Sequence, residues 1–238
     1  MQSLGLMYQM HLTTSPYTLL TSLIEAQIHL HKLVNTKLYY LPSYPFGEMV
    51  LTHLRQNYPD YEWLEAPDNL ENQIVIADSN AFVSRPDTSI RHSKILLINP
   101  IWKRTSPEPV WLQIPVLKNS FLKRLARFKS SGFIDSYLHP KPNDLLKSKL
   151  LEVCKKPEVW HTLLKAKSNP RILKEQNNLY LLTNEDDPLR DTEKQNSLMQ
   201  YRRTWVWKDF PHSLLASDAT QRLELKQILQ ELTQDKGL

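Results

Sequence analysis

Three short stretches of the chain place chemically useful side chains just beyond apolar runs. In Ile74-Val75-Ile76-Ala77-Asp78-Ser79-Asn80-Ala81-Phe82, a serine has small residues two positions before it and two after it. A nucleophilic serine on a sharp strand-to-helix turn needs that spacing, because strand and helix close tightly around it. Glycine usually fills the small positions; Ala77 and Ala81 fill them here, and any strand leading into a small-residue turn would look the same. In Leu181-Leu182-Thr183-Asn184-Glu185-Asp186-Asp187-Pro188, an apolar run gives way to an acidic cluster. A carboxylate there can hold a histidine in one tautomer and stabilise its charged form. The same residues also suit an Asx turn or a helix cap. In Trp205-Val206-Trp207-Lys208-Asp209-Phe210-Pro211-His212-Ser213, a loop histidine precedes the last helical pattern. Most loop histidines are solvated bystanders, so the order Ser, Asp, His carries the weight. Each follows a separate candidate strand, and in an open parallel sheet those strand ends share the edge where ligands bind.

The elements that must position these residues are legible as texture. Leu38–Leu41, Ile74–Ala77, Ile95–Ile98 and Leu179–Leu182 are continuous apolar runs, with Thr204–Trp207 as a last strand. Continuous runs predict strands covered on both faces, as in a parallel sheet. Helical patterns lie between and after them: Phe46–Asn57, and Ala219–Thr233 with Leu223, Ile228, Leu229 and Leu232 on one stripe. Alternating strands and helices predict an α/β fold with a doubly wound, mostly parallel sheet. Tyr61–Leu64 reads as a further strand, yet only about nine residues separate it from Ile74, fewer than a parallel crossover with its helix usually takes. Residues 101–176 interrupt the alternation with helical segments such as Ser120–Lys129 and Asn143–Lys155, and read as an inserted helical lid. The expected organisation is an N-terminal helical segment over 1–36, a core over 37–100 and 177–238, and that lid. In the N-terminal segment, Ser15-Pro16 opens an amphipathic pattern that runs to Val34. No internal repeat is evident.

Composition narrows the chemistry. The 238 residues carry a net charge of +5, too mild for a nucleic-acid-binding composition. The excess is local: ten basic and three acidic residues lie between Lys118 and Lys156. In the first lid helix Phe121, Leu122, Leu125 and Phe128 form an apolar face, while Lys123, Arg124 and Arg127 offer either a solvated face or a surface for an acidic partner. Trp102 and Trp111 lie outside that basic helix, which argues against a nucleic-acid surface. One cysteine, Cys154, excludes an internal disulfide and any multi-cysteine zinc site and fits a reducing compartment. No apolar run approaches the roughly 20 residues that span a bilayer, and the first 15 residues lack the basic-then-apolar order of a signal peptide. A cytoplasmic location is expected. With four glycines, no two of them closely spaced, the chain has no P-loop or GxGxxG loop.

The ordered set Ser79, Asp187, His212 resembles that of the α/β-hydrolases, and looks closest to the small YqiA-type esterases. The resemblance runs from about Lys37 to the C-terminus, leaving out most of the lid. Leu96-Leu97-Ile98-Asn99-Pro100 is similar to the strand after the nucleophile helix, and the 20 residues from Ser79 to Asn99 match the interval that helix and strand would fill. The resemblance implies Ser79 as nucleophile, His212 as general base, and Asp187 as the orienting acid with Asp186 as its alternative. Tyr40-Leu41-Pro42-Ser43-Tyr44 looks like the first strand and oxyanion loop, with Pro42-Ser43 where that family has His-Gly. Proline has no N–H, so Asn80 and either Ser43 or Tyr44 would supply the oxyanion donors. The implied activity is cleavage of an ester or thioester, including an acyl chain on an acidic carrier, with no cofactor and no metal. The competing expectation is a catalytically impaired pseudo-hydrolase that serves as a binding or assembly module.

Overall fold

The computed structural model describes residues 36–84, 88–101, 115–140, 143–165, 173, 176–187, 189 and 199–235. The expected helix over Ser15–Val34, Trp102 and Trp111 lie outside the described residues. The chain runs β1 (Lys37–Leu41), α1 (Gly47–Asn57), β2 (Glu62–Glu65), β3 (Asn69–Glu71), β4 (Ile74–Asp78), α2 (Ala81–Ser84), β5 (Ser89–Arg91) and β6 (Lys94–Ile98). It continues through α3 (Pro115–Phe128), α4 (Ser130–Leu138), α5 (Asp144–Cys154), α6 (Pro157–Lys165), β7 (Leu179–Asn184), β8 (Arg203–Trp207) and α7 (Ala219–Gln234). Six strands form one sheet in the order β2-β1-β4-β6-β7-β8, and every pairing is parallel.

Strands β4, β6 and β7 are buried along their whole length, as continuous runs of Ile, Val and Leu require. Alternate side chains go to opposite faces. Ile74, Ile76, Leu96, Ile98, Tyr180 and Leu182 pack with Val50 and Leu54 of α1 and with Leu225, Ile228 and Leu229 of α7. Val75, Ala77, Ile95, Leu97, Leu179 and Leu181 pack with Leu70, Ala81, Phe82, Ile90 and Leu173 on the other face. Helix α7 begins with a capping box, Asp218 with Gln221, which satisfies two of its otherwise unpaired N–H groups. Its far end is held by Lys94, whose Nζ donates to the carbonyls of Leu232 and Asp235. A cation suits that end of a helix.

Several expectations need correction. Tyr61–Leu64 is a genuine edge strand, offset by one residue, and no helix intervenes between β2 and β4 among these residues. The crossover is made by β3, which pairs in parallel with β5 in a second, two-stranded sheet over the same face as Leu70 and Ile90. The interval after Ser79 holds only the four-residue α2 before β5, so no full helix fills it among the described residues. A structural repeat is present after all. Residues 69–71 pair with 89–91 and residues 74–78 with 94–98, a constant offset of 20. The corner residues obey it too: Asn72 and His92 have φ of 54° and 48°, Ser79 and Asn99 of 47° and 41°. The path repeats while the side chains do not, so the sequence hides it. Among the described side chains of α3, Leu122 and Ala126 are buried, whereas Phe128 is 67% exposed; on α7 Leu223 is 59% exposed and Leu225 lies in the core.

Candidate active site

The strand order reverses at β1: β2 is laid on one side of it and β4 on the other. The chain leaving β1 turns toward α1 on one face, and the chain leaving β4 turns toward Ala81 and Phe82 on the other. The connections diverge at the carboxyl ends of the strands, the edge at which open α/β sheets take their ligands. Ser79 stands at that point.

Ser79 occupies the left-handed region with φ of 47°. A non-glycine residue held there costs about 1–3 kcal/mol, and persists only where its surroundings fix it. Here the Ser79 N–H donates to Ile98 O at 2.9 Å, and Ser79 O accepts from Ile101 N–H at 2.8 Å. Ala77 and Ala81 are buried on either side, so the turn closes without glycine. His212 arrives from the connection between β8 and α7, and its Nε2 lies 2.9 Å from Ser79 Oγ. Its Nδ1 lies 2.6 Å from Asp187 Oδ2, with both side chains essentially inaccessible. Because an ionised carboxylate only accepts, that contact puts the ring proton on Nδ1 and leaves Nε2 able to take the serine proton. Asp187 Oδ1 accepts from Leu189 N–H at 2.9 Å, so the residue is an Asx turn and a histidine partner together. Asp186 is exposed, its N–H donating to Asn184 Oδ1 at 3.0 Å, and it does not share the role expected of it as an alternative.

The His212 loop is pinned by side-chain amides that the sequence analysis did not single out. Gln221 Nε2 donates to Asp209 O at 3.0 Å and Asn184 Nδ2 to Phe210 O at 2.6 Å. Asn99 Nδ2 donates to Pro211 O at 2.9 Å and His212 O at 3.2 Å, while Asn99 Oδ1 accepts from Asn184 N–H at 2.9 Å. Four successive carbonyls are thereby tied to the ends of β6 and β7 and the start of α7. From the helical segment, the Tyr137 ring packs 5.4 Å from the His212 ring, and Tyr137 O accepts from Ser213 N–H at 3.2 Å.

The loop after β1 differs from expectation at Tyr44. Its N–H donates to Asn80 Oδ1 at 2.9 Å, and Asn80 Nδ2 donates back to Tyr44 O at 2.7 Å. The Asn80 side chain thus clamps this loop to the serine turn, and the Tyr44 N–H is committed to that clamp rather than to an oxyanion. Ser43, the other loop residue expected as a donor, is buried at 4% exposed. Lys123, Arg124 and Arg127 are exposed on α3, and Lys123, Arg127 and Lys155 line a shallow hollow beside Pro157. Among the described residues no cluster of His, Cys, Asp or Glu is arranged to hold a metal, and no helix is long and apolar enough to cross a membrane.

No family model and no curated protein matches the sequence. Solved structures do match the fold. A bromoperoxidase from Bacillus anthracis superposes with a TM-score of 0.56 at 9% identity, over 84% of this chain and 92% of the other. A 2-hydroxy-6-oxo-6-phenylhexa-2,4-dienoate hydrolase from a Rhodococcus strain gives 0.52 at 12% identity, over 84% and 90%. A membrane phospholipase A, described as a bacterial virulence factor, gives 0.53 at 10% identity, over 97% of each chain. Identities this low speak to architecture alone: the chain has a shortened α/β-hydrolase fold.

Proposed function

We propose that this protein is a serine hydrolase that cleaves an ester or thioester. The observation that supports the reading is the unbroken contact chain Asp187–His212–Ser79 at the carboxyl edge of the sheet, with the serine on a left-handed turn. In this mechanism His212 Nε2 accepts the Ser79 proton as Oγ attacks the carbonyl carbon, and Asp187 steadies the imidazolium. The N–H groups of Asn80 and Ser43 hold the developing oxyanion, and His212 returns the proton to the leaving group. Water, activated by the same histidine, then hydrolyses the acyl-enzyme.

Residues 101–176 act as the helical lid in this reading. The exposed cations Lys123, Arg124 and Arg127 suit an acidic acyl carrier, and the likeness to YqiA-type esterases and a cytoplasmic setting belong to the same proposal. Neutralising those three cations should abolish salt-sensitive retention on heparin if the surface binds anions. The main test is a fluorophosphonate probe, which should label the wild type and not Ser79→Ala. A wild type that stays unlabelled favours the second reading, a pseudo-hydrolase used as a binding module. That reading draws its support from the Tyr44 N–H, which is turned away from oxyanion duty.

A further inference from the structure

Beside the nucleophile lies a group of buried polar side chains that the proposed chemistry leaves without a task. Asp78, the residue before Ser79, is 1% exposed, Tyr137 2% and Ser43 4%. Tyr40 Oη donates to Asp78 Oδ1 at 2.5 Å. Asp78 Oδ2, Ser43 Oγ and Tyr137 Oη are each buried with no hydrogen-bond partner. Ser43 is common to them. Its hydroxyl lies beside Asp78 and Tyr137, as the Ser213 hydroxyl lies beside Tyr137, and Ser43 Oγ, Asp78 Oδ2 and Tyr137 Oη nonetheless make no hydrogen bond of good geometry. The group abuts the reacting residues, since Asp78 directly precedes Ser79 and the Tyr137 ring packs on His212.

Buried polar atoms in folded proteins are almost always paired, and three orphans in one place call for a shared partner. A single oxygen bearing hydrogen meets all three. It can accept from the Ser43 and Tyr137 hydroxyls and donate to Asp78 Oδ2, and the two hydroxyls can rotate to suit either protonation state of the carboxyl. Two to four polar partners are what a buried water requires. We propose that Ser43, Asp78 and Tyr137 form a hydroxyl-binding subsite next to Ser79, which takes a water or the hydroxyl of a hydroxylated acyl group. Only its use in turnover rests on the serine-hydrolase reading.

Two measurements decide it. A crystal structure of the unliganded full chain should show an ordered oxygen within about 3.2 Å of all three atoms; an empty or collapsed site overturns the proposal whatever the activity. Kinetics then separate the two sources, comparing p-nitrophenyl butyrate with p-nitrophenyl 3-hydroxybutyrate for wild type and Tyr137→Phe, a change that removes one oxygen. If the substrate hydroxyl binds here, kcat/KM for the hydroxylated ester relative to butyrate falls roughly tenfold in the variant. If the occupant is the hydrolytic water, both esters slow alike, with a nitrophenol burst marking acyl-enzyme that waits for water. A variant indistinguishable from wild type on both esters overturns the subsite's role in turnover. Fluorophosphonate labelling of Ser79 is read alongside: its failure in the wild type removes the hydrolase reading and leaves the crystallographic result to judge the subsite.

Discussion

A serine hydroxyl 2.9 Å from an imidazole nitrogen is useful only while the imidazole stays where it is. Here that duty falls on Asn99, whose amide holds the carbonyls of Pro211 and His212. Replacing it with alanine should lower kcat for a p-nitrophenyl ester by roughly 10- to 100-fold with little change in KM, the mark of a misplaced base. A purely structural role would lower thermal stability without separating kcat from KM. Asn99, Asn184 and Gln221 could not be found from the sequence, because amides that bind backbone carbonyls follow no spacing rule. Ser79, Asp187 and His212 were legible because each residue type carries its own chemistry and follows an apolar run. Asp78 offers a second test. Burial holds its carboxyl above the ordinary value of 3.8, against the lowering effect of the Tyr40 hydroxyl. The folded state therefore keeps a proton that the unfolded chain releases, and that stability is full below the ordinary value and lost as pH rises through the folded one. Asp78→Asn stays neutral throughout, so its Tm relative to wild type should rise between pH 4 and pH 8. A difference that stays flat over that range contradicts the assignment.

At the level of elements, the turn from β1 into α1 depends on one close approach. A Cβ on Gly47 would lie 2.4 Å from Pro42 Cβ and 3.0 Å from Pro42 Cα, against a rigid ring and backbone that cannot step aside. Gly47→Ala should cost about 1–3 kcal/mol of stability in urea titration. It should also displace residues 42–45, which the Asn80 clamp ties to the serine turn, and so slow fluorophosphonate labelling. The long apolar strands were readable because central strands in a parallel sheet must be apolar on both faces. The short β3 and β5 were not. Asn69-Leu70-Glu71 and Ser89-Ile90-Arg91 each offer one apolar residue, too little to show a period. The same weakness misassigned α3: with apolar residues spread around the helix, its neighbours rather than its pattern chose Leu122 and Ala126 over Phe128.

For the molecule as a whole, the helices between β6 and β7 form a cluster of their own around Phe46, Ile134, Tyr137, Leu150 and Cys154. Ser130 Oγ and Trp160 Nε1 donate to Cys154 O at 2.8 and 2.7 Å, which closes the cluster over the cysteine. Burial pushes the Cys154 thiol up to about 12. A disulfide reagent at pH 8 should leave the native protein unmodified and titrate its single thiol once urea unfolds it. Because Tyr137 joins this cluster to His212, native-state thiol reactivity reports opening of the helical cluster that packs against that histidine. The constant 20-residue offset has a consequence for tolerance to change. Two ladders in two different sheets are cut from the same pair of segments, so the corners 72–73 and 92–93 work as matched spacers. Losing a residue from one corner should throw one ladder out of step with the other and melt the fold, while losing one from both should restore synchrony, a rescue that a thermal melt of the single and double deletions would display.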